Sequence, residues 1–120
     1  MYKITGKIEV RPRSIVANID KELVRYYRCL VPKYYYIQSP KYHPHVTLVR
    51  SGELELITKK FSGTVDIYYS PVIYYKEPYF WLNCWSEEIG NIREELGLKR
   101  YRFEDENPSY HITIGNIKNG

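Results

Sequence analysis

Residues 2–10, YKITGKIEV, place Ile4, Ile8 and Val10 on one side of an alternating pattern. That period of two marks a half-buried strand. Gly6 within it predicts a bulge. Residues 11–18, RPRSIVAN, read as a connection. The period then changes: Leu23, Tyr26, Tyr27, Leu30 and Val31 recur at helical spacing behind Asp20, a residue type that caps helix N-termini. Pro32 should end this helix. With prolines at 40 and 44, residues 33–44 read as an irregular loop.

A short strand comes next at 45–50, HVTLVR. Residues 53–60 fit either a helical turn or an edge strand. Residues 63–76, GTVDIYYSPVIYYK, predict two strands separated at Ser70 and Pro71, and 79–85, YFWLNCW, a third. Ser86 caps a second helix, with Glu87 and Glu88 in its first turn and Ile89, Ile92, Arg93 and Leu96 at helical spacing. Residues 99–109 form a polar connection, and 110–117, YHITIGNI, the last strand. Each half of the chain thus reads as strand, helix, irregular connection and a strand opening with a histidine. The expected fold is α+β: two pseudo-symmetric β-α-β halves forming antiparallel sheets around a central cleft, with helices packed outside.

At 120 residues, the expectation is one domain, spanning 1–120, able to bury roughly two-thirds of its unfolded surface. No apolar run is long enough for a membrane helix, and the N-terminal residues lack the order of a signal peptide. Cys29 and Cys84 have no metal-ligand spacing. A reduced, cytoplasmic setting is the expectation. The net charge of +4 mildly favours an anionic partner. Of the basic clusters, Arg11 and Arg13 flank a proline. Lys99, Arg100 and Arg102 are followed by Glu104, Asp105 and Glu106, as on a solvated face. Fourteen tyrosines suit half-buried strands and also base stacking.

The chemistry concentrates in the three histidines, His43, His45 and His111. Two of them open nearly the same tetrapeptide: His45-Val46-Thr47-Leu48 and His111-Ile112-Thr113-Ile114. On a strand, alternation sets the imidazole and the threonine hydroxyl on one face and the aliphatic side chains on the other. One His-x-Thr is ordinary; two in matched apolar contexts suit phosphodiester cleavage. One neutral imidazole takes a proton from water or a ribose 2′-hydroxyl, and the other, protonated, gives one to the leaving oxygen. The hydroxyls hold the non-bridging oxygens. Such chemistry requires no metal and no cofactor. A zinc site on the three histidines is hindered by Pro44, and His43 reads as a loop residue.

HVTL and HITIGN resemble the paired H-x-T/S-x motifs of the 2H phosphoesterase superfamily, and the order of elements extends the resemblance over nearly the whole chain. It implies a metal-independent phosphodiesterase with His45 and His111 as the acid/base pair and Thr47 and Thr113 as phosphate holders. The size, PYFWLNCWS leading into a helix, and SYHITIGN resemble compact phage-encoded members, among them anti-CBASS enzymes that cleave cyclic di- and trinucleotide signals. Other members act on 2′,3′-cyclic phosphates in RNA end processing. The chain departs from larger relatives in having only residues 117–120 after the second motif, so contacts drawn there from a C-terminal extension are expected to come from elsewhere or be absent.

For the substrate's bases the sequence offers Tyr36 and Tyr42 in the loop before the first motif. It also offers Tyr79 and Trp81, which share a strand face with Asn83; Trp81 either packs in the core or stacks a base. Glu77 and Arg50 are further polar candidates. The expected partner is a cyclic nucleotide or RNA end, with no membrane and no obligate protein partner, in a monomer or homodimer. The alternatives to an enzyme are a module that sequesters the same ligand and a general RNA-binding protein.

Overall fold

A computed structural model describes residues 1–101 and 109–117. It is α+β: one curled antiparallel sheet and two helices. The strands are β1 (Tyr2–Val10), β2 (Ile15–Asn18), β3 (Ile37–Gln38), β4 (His45–Val49), β5 (Thr64–Lys76), β6 (Tyr79–Trp85) and β7 (Tyr110–Ile117). The helices are α1 (Lys21–Leu30) and α2 (Glu87–Glu95). The order across the sheet is β3-β7-β6-β5-β1-β2-β4. Four strands therefore separate β7 from β4, yet the two come within 8 Å, Cα to Cα. The curl of the sheet brings the two histidine strands together.

Local chemistry accounts for most elements. The Asp20 carboxylate accepts a hydrogen bond from the Glu22 amide, 2.9 Å, at the start of α1. Ser86 Oγ accepts from the Ile89 amide at 3.2 Å and donates to the Asp66 carbonyl at 2.7 Å, tying the start of α2 to β5. Val24 and Tyr27 of α1 and Ile89 of α2 join the core side chains of the strands in a single buried cluster. Tyr26 and Leu30, expected on the apolar face of α1, are exposed instead.

Four sequence expectations need correction. Residues 15–18, assigned to a connection, form β2 between β1 and β4; IVA is a fully buried run, and alternation is lost when both faces are covered. Ser70 and Pro71 do not divide two strands. β5 runs through them, and its pairing with β6 skips from Tyr69 to Ile73 while β6 advances only from Cys84 to Leu82. The unpaired stretch accommodates a proline that has no N–H to give the ladder. Gly6 is not a bulge, because β1 pairs with β5 in unbroken register from Tyr2 to Lys7. A Cβ there would stand 2.8 Å from the Ala17 Cβ and 3.0 Å from Ile67 Cδ1, so glycine serves close packing. Residues 53–60 are neither helix nor strand; the Ile57 amide donates to the Pro12 carbonyl and its side chain enters the core.

The 33–44 segment carries a 3-10 turn at Lys33–Tyr35 and the two-residue β3. Cys29 is exposed and Cys84 buried, both as free thiols. The polar connection expected at 99–109 lies mostly outside the described residues. Arg100, from its described start, pairs with Glu87 and Glu94 of α2. Among the described residues no helix is long and apolar enough to cross a membrane.

Candidate active site

Val46, Leu48, Ile112 and Ile114 are all buried in the core. Each such side chain contributes about 1.5–3 kcal/mol of burial free energy, so both motif strands are anchored by their aliphatic faces. The alternate positions turn the other way. His45, Thr47, His111 and Thr113 line one pocket of about 440 Å³.

The two strands share an irregularity that strict alternation does not predict. β4 pairs Thr47 with Val16 and then Val49 with Ile15, which leaves Leu48 as an extra residue. β7 pairs Thr113 with Trp81 and then Gly115 with Phe80, which leaves Ile114 extra. Each motif therefore carries a β-bulge immediately after its threonine. A bulge shifts the alternation by one position and re-aims the side chains beyond it. Leu48 and Val49 are buried in succession, as are Ile114 and Gly115, and the next residues, Arg50 and Asn116, reach the pocket. Gly115 is needed where it stands, since a Cβ would meet the Gln38 carbonyl oxygen of β3 at 2.7 Å.

The two imidazoles are held differently. His45 Nδ1 lies 2.7 Å from the His43 carbonyl oxygen. A carbonyl only accepts, so Nδ1 carries the proton and Nε2 is the basic nitrogen of the neutral ring. The His43 ring donates from Nε2 to the Ile19 carbonyl, 3.0 Å, and the Ile19 amide donates to the Pro44 carbonyl, 3.0 Å. These bonds pin the loop to the end of β2. The loop position expected of His43 is thus observed, together with a supporting role. His111 sits beside Trp81, ring centroids 5.5 Å apart. Trp81 in turn stacks on Tyr74, at 6.0 Å and 22°, and donates from Nε1 to Asn83 Oδ1 at 3.0 Å.

Trp81 is therefore in the cleft wall and not in the core. It lines a second cavity of about 510 Å³ that opens beside the first and shares with it Arg50, Tyr79, His111 and Thr113. Tyr42 lines the first cavity and Tyr79 both. Tyr36 is not brought to either. It ends the 3-10 turn in the left-handed conformation, φ 53°, and is 82% exposed.

Sequence reasoning placed Arg93 on the apolar face of α2 without seeing its role. Its side chain is buried: NH1 donates to the Leu48 carbonyl at 2.7 Å and pairs with Glu53 Oε2 at 2.8 Å, and Nε donates to the Lys99 carbonyl at 2.7 Å. The carbonyl of the bulged Leu48 thus finds its donor on another element. A cation at an apolar helical position was the signal that could have revealed it. Among the described residues, no three or more His, Cys, Asp or Glu side chains group as metal ligands would. Comparison with protein-family models, curated proteins and solved structures finds no match.

Proposed function

We propose that the chain is a phosphodiesterase in which His45 and His111 act as the acid/base pair on a cyclic nucleotide. The observation that carries this reading is the convergence of two bulged His-x-Thr strands, distant in the sheet order, on one pocket. In this reading the β1-β2-α1-β4 and β5-β6-α2-β7 segments are two halves related by an approximate two-fold. Each half then carries two strands before its helix.

His45, with its proton fixed on Nδ1, takes a proton at Nε2 from water or a ribose 2′-hydroxyl. The oxygen so freed forms a bond to phosphorus as the bond to the leaving oxygen breaks, and the His111 imidazolium supplies that oxygen's proton. Thr47 and Thr113 donate hydrogen bonds to the non-bridging oxygens, holding phosphorus between the rings. Side chains alone handle protons and charge. The resemblance to compact phage members favours cyclic oligonucleotide signals as substrates, in a cytoplasmic setting.

The test is a product assay in EDTA with cyclic di- and trinucleotides, 2′,3′-cyclic mononucleotides and RNA 2′,3′-cyclic ends. Cleavage of the cyclic oligonucleotides, lost in both His45→Ala and His111→Ala, is the expected result. Cleavage confined to 2′,3′-cyclic ends would make the protein an RNA-end enzyme. Tight binding without turnover would overturn catalysis in favour of sequestration. The pH profile should be a bell, with limbs set by the two imidazoles.

A further inference from the structure

The bulges carry each motif beyond His-x-Thr to a third pocket residue, five positions after the histidine: Arg50 in β4's extension and Asn116 in β7. These two differ in how they are engaged. Asn116 Oδ1 accepts from Gln38 Nε2 at 3.1 Å. Arg50 has a carboxylate close in sequence, Glu53, that could neutralise it. That carboxylate is already committed. Its Oε2 pairs with the buried Arg93, and its Oε1 accepts from the Arg50 amide, 3.3 Å, not from the guanidinium. The Arg50 side chain is exposed and has no ion pair among the described residues.

Arg50 lines both cavities. It lies three residues beyond Thr47, whose hydroxyl is expected to hold the scissile phosphate, with the bulge at Leu48 between them. The adjoining cavity carries Lys76 and the Trp81 ring, with the Glu77 carboxylate also on its wall. A guanidinium so placed suits a phosphate group other than the one being cleaved, gripped through two parallel N–H donors.

We infer that Arg50 grips a second phosphate of the substrate, kept available because Arg93 occupies Glu53, so that the site selects ligands carrying two phosphates over those carrying one. This rests on the phosphodiester reading of the pocket. The second phosphate can come from the ring of a cyclic dinucleotide or from the chain of an RNA end.

Binding separates these possibilities. Full-length protein in a His45→Ala background, with and without Arg50→Met, is titrated calorimetrically with 3′,5′-cyclic diadenylate, a dinucleotide ending in a 2′,3′-cyclic phosphate, and 2′,3′-cyclic AMP. Arg50→Met should weaken at least one two-phosphate ligand about tenfold or more and lower its salt slope by about one, while 2′,3′-cyclic AMP changes less than about twofold. The two-phosphate ligand that binds more tightly before substitution identifies the source. Equal weakening of all ligands would place Arg50 on the scissile phosphate and overturn the proposal, as would no weakening. Absence of binding by all three would overturn it together with the phosphodiester reading. Binding as expected, with no turnover by the unaltered chain, would overturn catalysis alone.

Discussion

The two motif strands carry nearly the same tetrapeptide in unlike surroundings. β7 is paired on both sides, by β6 and by β3, and its histidine stands against an indole ring. Among the described residues β4 is paired on one side only, by β2, and its histidine is tethered to a main-chain carbonyl. Where β7 accommodates its bulge with a glycine under the neighbouring strand, β4 satisfies its bulge with an arginine from α2. Packing that differs this much would not be expected to select the same imidazole and hydroxyl twice. The shared requirement lies in the pocket, and the surroundings are two separate solutions for presenting it.

The comparison breaks most plainly if the two histidines prove unequal. His45→Ala and His111→Ala should each lower kcat by about 10²–10⁴-fold, measured under single-turnover conditions; full activity in either variant would leave that strand without a catalytic part. Next comes the one-sided support of β4. Arg93→Met leaves the Glu53 carboxylate partly buried without its cation and the Leu48 carbonyl without its donor. Breaking a buried pair from one side costs about 3–5 kcal/mol, to be read from urea unfolding. Replacing Glu53 and Arg93 together by Leu and Met should recover much of that loss, and equal damage in both variants would show that the pair itself is not responsible.

A smaller effect tests the aromatic neighbour of β7. Trp81→Ala should weaken ligand affinity by about 1–3 kcal/mol if a base stacks there, whereas Tyr36→Ala, outside both cavities, should leave it unchanged. The smallest effect concerns alkaline stability. Burial pushes the Tyr110 hydroxyl up to about 12, and burial also raises Tyr27 and Cys84. Groups raised in the fold keep their protons while the unfolded chain loses them. Their contribution is complete below the unfolded values, near 9 for cysteine and 10 for tyrosine, and is lost as pH rises through the folded ones. The urea midpoint should therefore fall between pH 9 and 11, and Tyr110→Phe should flatten part of that decline.

Much of this was legible in the chain. The caps at Asp20 and Ser86, both motif strands and the face shared by Tyr79, Trp81 and Asn83 come from local chemistry and alternation. β2 was not legible, because a short buried run without alternation, just after Pro12, looks like a connection. The bulges were equally hidden, since register belongs to two strands at once and a single chain's pattern does not record it. Arg50 was visible as a polar candidate, but its route into the pocket depends on the bulge at Leu48.

Among the described residues, the curl that brings β4 against β7 does not close the sheet with hydrogen bonds. An open seam leaves main-chain groups that another molecule's strand could match, the usual starting point for aggregation. At one border the outermost strand, β3, is only two residues long; at the other a buried guanidinium occupies the Leu48 carbonyl. The arginine proposed to free its neighbour for a phosphate thus also shields a strand edge.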